Sequence, residues 1–128
     1  PVLKEAGARR ALPLPVSAPF HCPLMAPVQP RLAEVLSGVR LSDPVLPVVA
    51  NVDAAANRDG RRVSQLLIEQ VTAPVRFVDC VGTLASMGVS EALEIGPGRA
   101  LAGMVKRIAP EIAVISVGTE EQVKTLLG

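Results

Sequence analysis

Short aliphatic runs alternate along this chain with longer stretches of helical period, and that alternation narrows the folds open to it. Residues 47–51, 92–95 and 112–117 are the short runs. The first reads as a short buried strand. Leu24, Val28, Leu32, Val35 and Leu36 mark one face of a helix ending near Gly38, in which Pro27 and Pro30 fit only if they fall in its first turn or so. Val63, Leu66, Leu67 and Val71 mark a second, stopped by Pro74, and Phe77, Val78, Val81, Leu84 and Ala85 a third, ending at Gly88. Strands that alternate with helices predict an α/β fold with a mainly parallel sheet. The punctuation agrees. Gly7 suits the C-cap of a short helix, residues 57–60 read as a turn, and Gly96-Pro97-Gly98 turns a strand into a helix starting about Arg99. Thr119 with Gln122 three residues on spells a capping box for a last helix. Residues 10–16, with Pro13 and Pro15 at alternate positions, suit an edge strand.

Composition sets the remaining bounds. A chain of 128 residues, 49% hydrophobic and 20% charged, is long enough for one modest domain. Its only aromatic residues are Phe20 and Phe77, so its core must be aliphatic. A formal net charge of +1 gives no reason to expect nucleic acid or an anionic membrane. The apolar run 45–52 is interrupted by Pro47 and Asn51 and is too short to span a bilayer. Cys22 and Cys80 form no metal-binding spacing, which predicts two free thiols in a reducing, cytoplasmic setting. No signal-peptide pattern opens the chain. Pro1 stands where Met would, and residues 2–7 read like the tail of a helix, so the chain is expected to begin inside a longer one.

His21, the only histidine, is the first candidate for chemistry. A histidine in a loop is ordinarily structural or simply exposed. Here Pro19 and Pro23 restrict the backbone on either side, and the segment follows an expected strand end, where α/β sites gather. Cys22 is no partner by mere adjacency, since neighbours in an extended segment point apart. No serine sits in a Gly-x-Ser-x-Gly elbow; residues 88–92 come nearest, but lack the final glycine and run from helix to strand. Gly96-Pro97-Gly98 reads as a tight turn, with an anion site as the alternative. Asn51 and Gln70 either cap their own elements or approach a site. Arg9, Arg10, Arg99, Lys106 and Arg107 are either solvated or a docking surface.

Four blocks in order carry a resemblance. Residues 10–17 with Pro19, His21, Cys22, Leu24 and Met25 resemble the histidine segment of the malonyl-CoA:acyl carrier protein transacylase family. Residues 48–53, Gln70 with residues 74–77, and residues 94–98 are similar to later blocks of the same family. The resemblance implies the C-terminal part of an α/β-hydrolase-like large subdomain at 17–128, and the end of an inserted ferredoxin-like small subdomain at 1–16. The family's nucleophilic serine, oxyanion glutamine and substrate-carboxylate arginine would all precede this region.

The resemblance also implies a ping-pong transfer of malonyl from coenzyme A to the phosphopantetheine thiol of holo acyl carrier protein. His21 would be the general base, oriented by backbone carbonyl rather than carboxylate, with Gln70 and Asn51 at the orienting positions. Phe20 would fill the space an α-methyl needs, favouring malonyl over methylmalonyl. No cofactor and no metal are implied. The partners would be malonyl-CoA, holo carrier protein and the N-terminal remainder of the enzyme, with no nucleic acid and no membrane; alone, the chain should be inactive. An acidic carrier protein would suit the basic residues, Arg9 and Arg10 especially. A polyketide-synthase acyltransferase domain is the nearest alternative, and a non-catalytic α/β binding module the alternative of another class.

Overall fold

The computed structural model describes residues 2–12 and 18–128. Its order is α1 (Val2–Glu5), a 3-10 segment (Pro23–Val28), α2 (Gln29–Ser37), β1 (Val48–Val49), β2 (Ala56–Asn57), α3 (Gly60–Gln70), α4 (Phe77–Ser86), β3 (Glu91–Ile95), α5 (Ala100–Ile108), β4 (Ala113–Val117) and α6 (Glu120–Leu127). The class is mixed α/β. The expected edge strand at 10–16 and the subdomain boundary after residue 16 fall mostly on residues 13–17, outside the described ones.

The best-defined part is the β3–α5–β4 unit. β3 and β4 pair in parallel, from Glu91 opposite Ala113 to Ile95 opposite Val117. Ala113 N–H to Ser90 O (2.8 Å) and Gly96 N–H to Val117 O (3.0 Å) extend the ladder at both ends. α4 and α5 cover one face of this pair. Val81, Val105, Ala109 and Ile112 form the buried cluster, with Phe77, Leu84, Val89, Ala92 and Val114 packed around it. Phe77 is the one aromatic ring in it, so the core is aliphatic as composition requires. α4 ends where Gly88 takes a left-handed φ of 81°. Gly88 N–H reaches Ala85 O, and Val89 N–H reaches Leu84 O, which sends Val89 into the core.

The structure corrects three expectations. The helix expected over Leu24–Leu36 is broken: a 3-10 segment holds residues 23–28, and the α-helix starts only at Gln29. Pro27 and Pro30 are the cause, because each lacks an N–H, and Pro30 is tolerated only because it falls in the first turn of α2. Gly38, at its end, stays right-handed at φ −88°. The buried strand expected at 47–51 shrinks to β1, where Val48 is 54% exposed. Pro47 cannot donate to a ladder, and Ala54 at φ 56° turns the chain back. β1 therefore pairs antiparallel with β2, apart from the parallel pair, so the described strands form two small sheets rather than one mainly parallel sheet.

Local signals fared better. The capping box forms as expected: Gln122 N–H donates to Thr119 Oγ1 (3.3 Å), and Gln122 Oε1 accepts from Thr119 N–H (3.2 Å). At α3, Asp59 accepts from Arg61 N–H (2.9 Å) and starts the helix three residues before the first apolar position, Val63.

Candidate active site

His21 stands in an irregular turn just before the 3-10 segment, and its backbone is left-handed at φ 57°. A non-glycine residue holds such a conformation only where its surroundings fix it. Cys22 Sγ–H donates to Pro19 O (3.1 Å), closing the turn across the histidine, and Met25 N–H donates to Cys22 O (3.0 Å).

The other half comes from the C-terminus of α3. The last carbonyls of a helix have no partner within it, and this end gathers partial negative charge. The carbonyl oxygen of Gln70 lies 3.0 Å from His21 Nδ1. A carbonyl only accepts, so the proton of the neutral ring sits on Nδ1 and the lone pair on Nε2. Among the described residues nothing bonds Nε2. The Gln70 side-chain amide is 3.4 Å from Nδ1, but it donates instead to Ala73 O (2.9 Å), which fixes which end of the amide is NH2. The result is an imidazole oriented by backbone, with its basic nitrogen free.

Phe20 adjoins His21 and is 62% exposed. Asn51 makes no hydrogen bond to His21: its carbonyl accepts from Arg76 N–H (3.0 Å), and its Oδ1 accepts from Cys80 Sγ (3.5 Å). Burial, with the Asp79 carboxylate second, holds the Cys80 thiol above its ordinary range, so it stays a protonated donor rather than a nucleophile. Arg9 and Arg10 are exposed, as are Arg99, Lys106 and Arg107. Among the described residues no three His, Cys, Asp or Glu side chains converge as metal ligands. No helix among them is long and apolar enough to cross a membrane.

Two residues escaped the sequence reading. Gln29 Nε2 donates to Ile68 O (2.9 Å) and to Thr72 Oγ1 (3.3 Å), tying α2 to the end of α3. No local pattern marks it. Glu94 accepts from Leu101 N–H (2.9 Å), Ala102 N–H (3.2 Å) and Ser116 Oγ (2.9 Å). Burial alone would raise its pKa, but the bonds from Ser116, Leu101 and Ala102 together lower it. Its carboxylate occupies the first N–H groups of α5, so Gly96-Pro97-Gly98 is a tight turn whose helix end is served by the chain itself. The signal was an acid at a strand end just before that turn.

No family model matches the chain. Its homologues are acyltransferases whose solved structures share its mixed α/β fold. More narrowly, they are malonyl CoA-acyl carrier protein transacylases. The Haemophilus influenzae protein is 43% identical over 89% of this chain, and the Bacillus subtilis protein 40% over 94%. The structure of an acyl-carrier-protein s-malonyltransferase from Burkholderia pseudomallei matches 98% of the chain at 43% identity with a TM-score of 0.88. A complex of a type II PKS acyl-carrier protein with its malonyl-transacylase matches 97% at 42% identity, also at 0.88. The chain spans 36% and 38% of those two curated relatives and 41% and 40% of the two solved chains, about two fifths of each.

Proposed function

We propose that this chain is the histidine-bearing, C-terminal portion of a malonyl-CoA:acyl carrier protein transacylase working in the cytoplasm. One observation carries the reading: His21 Nδ1 bonds the Gln70 carbonyl, which leaves Nε2 basic and free. Such a ring takes the proton of a serine hydroxyl, supplied from outside this chain, as the oxygen attacks the malonyl thioester. The tetrahedral intermediate collapses, and His21 returns that proton to the departing coenzyme A sulfur. In the second half, His21 takes the proton of the carrier protein's phosphopantetheine thiol as its sulfur attacks the malonyl ester, then restores it to the serine. The negative end of α3 suits the imidazolium that forms between steps. Gln70 orients the ring. Asn51 supports the loop beside it through Arg76, and Phe20 crowds an α-methyl.

Residues 17–128 then belong to an α/β-hydrolase-like subdomain, and 1–16 to the end of a ferredoxin-like one. The N-terminal remainder of the same enzyme is the first partner. Accessible surface supports this: the chain exposes 9842 Å², about half as much again as a stand-alone 13.3 kDa globule should. Leu93, Ile95 and Ile115 lie bare on the face of β3 and β4 away from α5.

In the full-length protein, His21→Ala should cut malonyl transfer to holo carrier protein by about 10²–10⁴-fold. A variant within a few fold of the unaltered enzyme would overturn the assignment. Reversing the charge of Arg9 and Arg10 together should raise KM for the carrier protein and leave KM for malonyl-CoA unchanged.

A further inference from the structure

The segment that carries His21 is bonded internally only over short range, as from Cys22 Sγ–H to Pro19 O and from Met25 N–H to Cys22 O. Pro23 and Pro27 lack N–H groups, and the cap residue Cys22 makes no side-chain cap. A strut of this kind is located by what holds its ends. One end is His21 on the Gln70 carbonyl. The other is Gln29, the first residue after the 3-10 segment, whose half-buried amide donates to Ile68 O at 2.9 Å and to Thr72 Oγ1 at 3.3 Å. Ile68, Gln70 and Thr72 all belong to the same closing turn of α3 and the residues just after it. Both pins therefore enter one rigid body.

We propose that Gln29 is a positioning residue for His21: its amide fixes the 3-10 strut against the end of α3, so that Nδ1 stays on the Gln70 carbonyl and Nε2 keeps the lone pair. The left-handed backbone at His21 makes the second pin necessary. A residue in that conformation relaxes toward right-handed or extended backbone when its flanking chain is free to shift, and the ring would leave the carbonyl with it. The catalytic part of this proposal rests on His21 being the base; the structural part does not.

The test reads the tautomer directly. In the full-length protein labelled with 15N-histidine, the His21 ring signals are those absent from a His21→Gln sample. Gln29→Leu keeps the bulk and removes the donors. It should lower the ratio of Nδ1–H to Nε2–H ring by about two- to tenfold, the effect of one side-chain hydrogen bond. Thr72→Val, which removes only the longer contact, should move the ratio the same way by less. Gln65→Leu, on the same helix but bonded only to Glu69, should leave it unchanged. In turnover, kcat should fall in step with the ratio while KM for malonyl-CoA holds. A folded Gln29→Leu protein with an unchanged ratio overturns the proposal. Should that variant not fold, Thr72→Val decides, and an unchanged ratio there overturns it equally. A shifted ratio in the variants, where the unaltered full-length protein itself transfers no malonyl, upholds the positioning role and defeats the acyl-transfer reading instead.

Discussion

His21 combines a left-handed backbone with an exposed side chain, and that separates its part in folding from the part proposed for it in chemistry. Asparagine tolerates this conformation, whereas a β-branched residue does not. Both replacements lose the bond to Gln70. His21→Val should then be less stable than His21→Asn by about 1–2 kcal/mol in urea denaturation, while both are equally dead in acyl transfer. Equal stabilities would show that the turn relaxes. At the neighbouring position, the proposed role of Phe20 predicts that Phe20→Ala in the full-length protein raises the preference for methylmalonyl-CoA relative to malonyl-CoA by about tenfold, the discrimination one methyl group supplies. The sequence marked His21 by its prolines and its solitude. It did not show the partner: Gln70 is 49 residues away, and the atom that matters is a carbonyl every residue possesses. Only resemblance pointed there. Gln29 was beyond reach for the same reason, because an amide on a helix start looks like any surface glutamine.

Elements were legible where their cause is local. The capping box of α6, the glycine stop of α4 and the extent of α4 depend on a few adjacent residues. β2 and its antiparallel pairing with β1 were not, because pairing joins residues that no short window contains. Two contacts at this scale make predictions. The Glu94 carboxylate holds the start of α5, and its folded pKa lies below the ordinary glutamate value. Its stabilisation is therefore complete above the unfolded pKa of about 4.3 and is lost as pH falls below that, through the folded value. Glu94→Gln should abolish this part of the acid dependence, seen as a flatter fall of Tm between neutral pH and the acid limit. At the head of α3, a Cβ on Gly60 would stand 2.5 Å from the carbonyl carbon of Ser42 and 2.6 Å from its oxygen. Gly60→Ala should cost about 1–3 kcal/mol by overpacking, measured as a lowered denaturation midpoint. An unchanged midpoint would mean that the 42–43 backbone yields freely.

Across the whole molecule, the surface is too large for the mass, and Leu93, Ile95 and Ile115 stand exposed on one face of the parallel pair, though parallel sheets are normally covered on both faces. Produced alone, the chain should bind a hydrophobic dye and associate as concentration rises. Adding the remainder of the enzyme should reverse both, whereas a dye-silent monomer would contradict the proposed partner. Folding order offers a separate consequence of the two-pin site. Glu94 and Ser116, matched across β3 and β4, are 22 residues apart, less than half the separation that His21 must span to reach Gln70. Short loops close first and at lower entropic cost. The β3–α5–β4 unit should therefore form early and exchange its amide hydrogens slowly. The turn that carries His21, the proposed base, should close later and exchange its amide hydrogens faster than that unit in the native state.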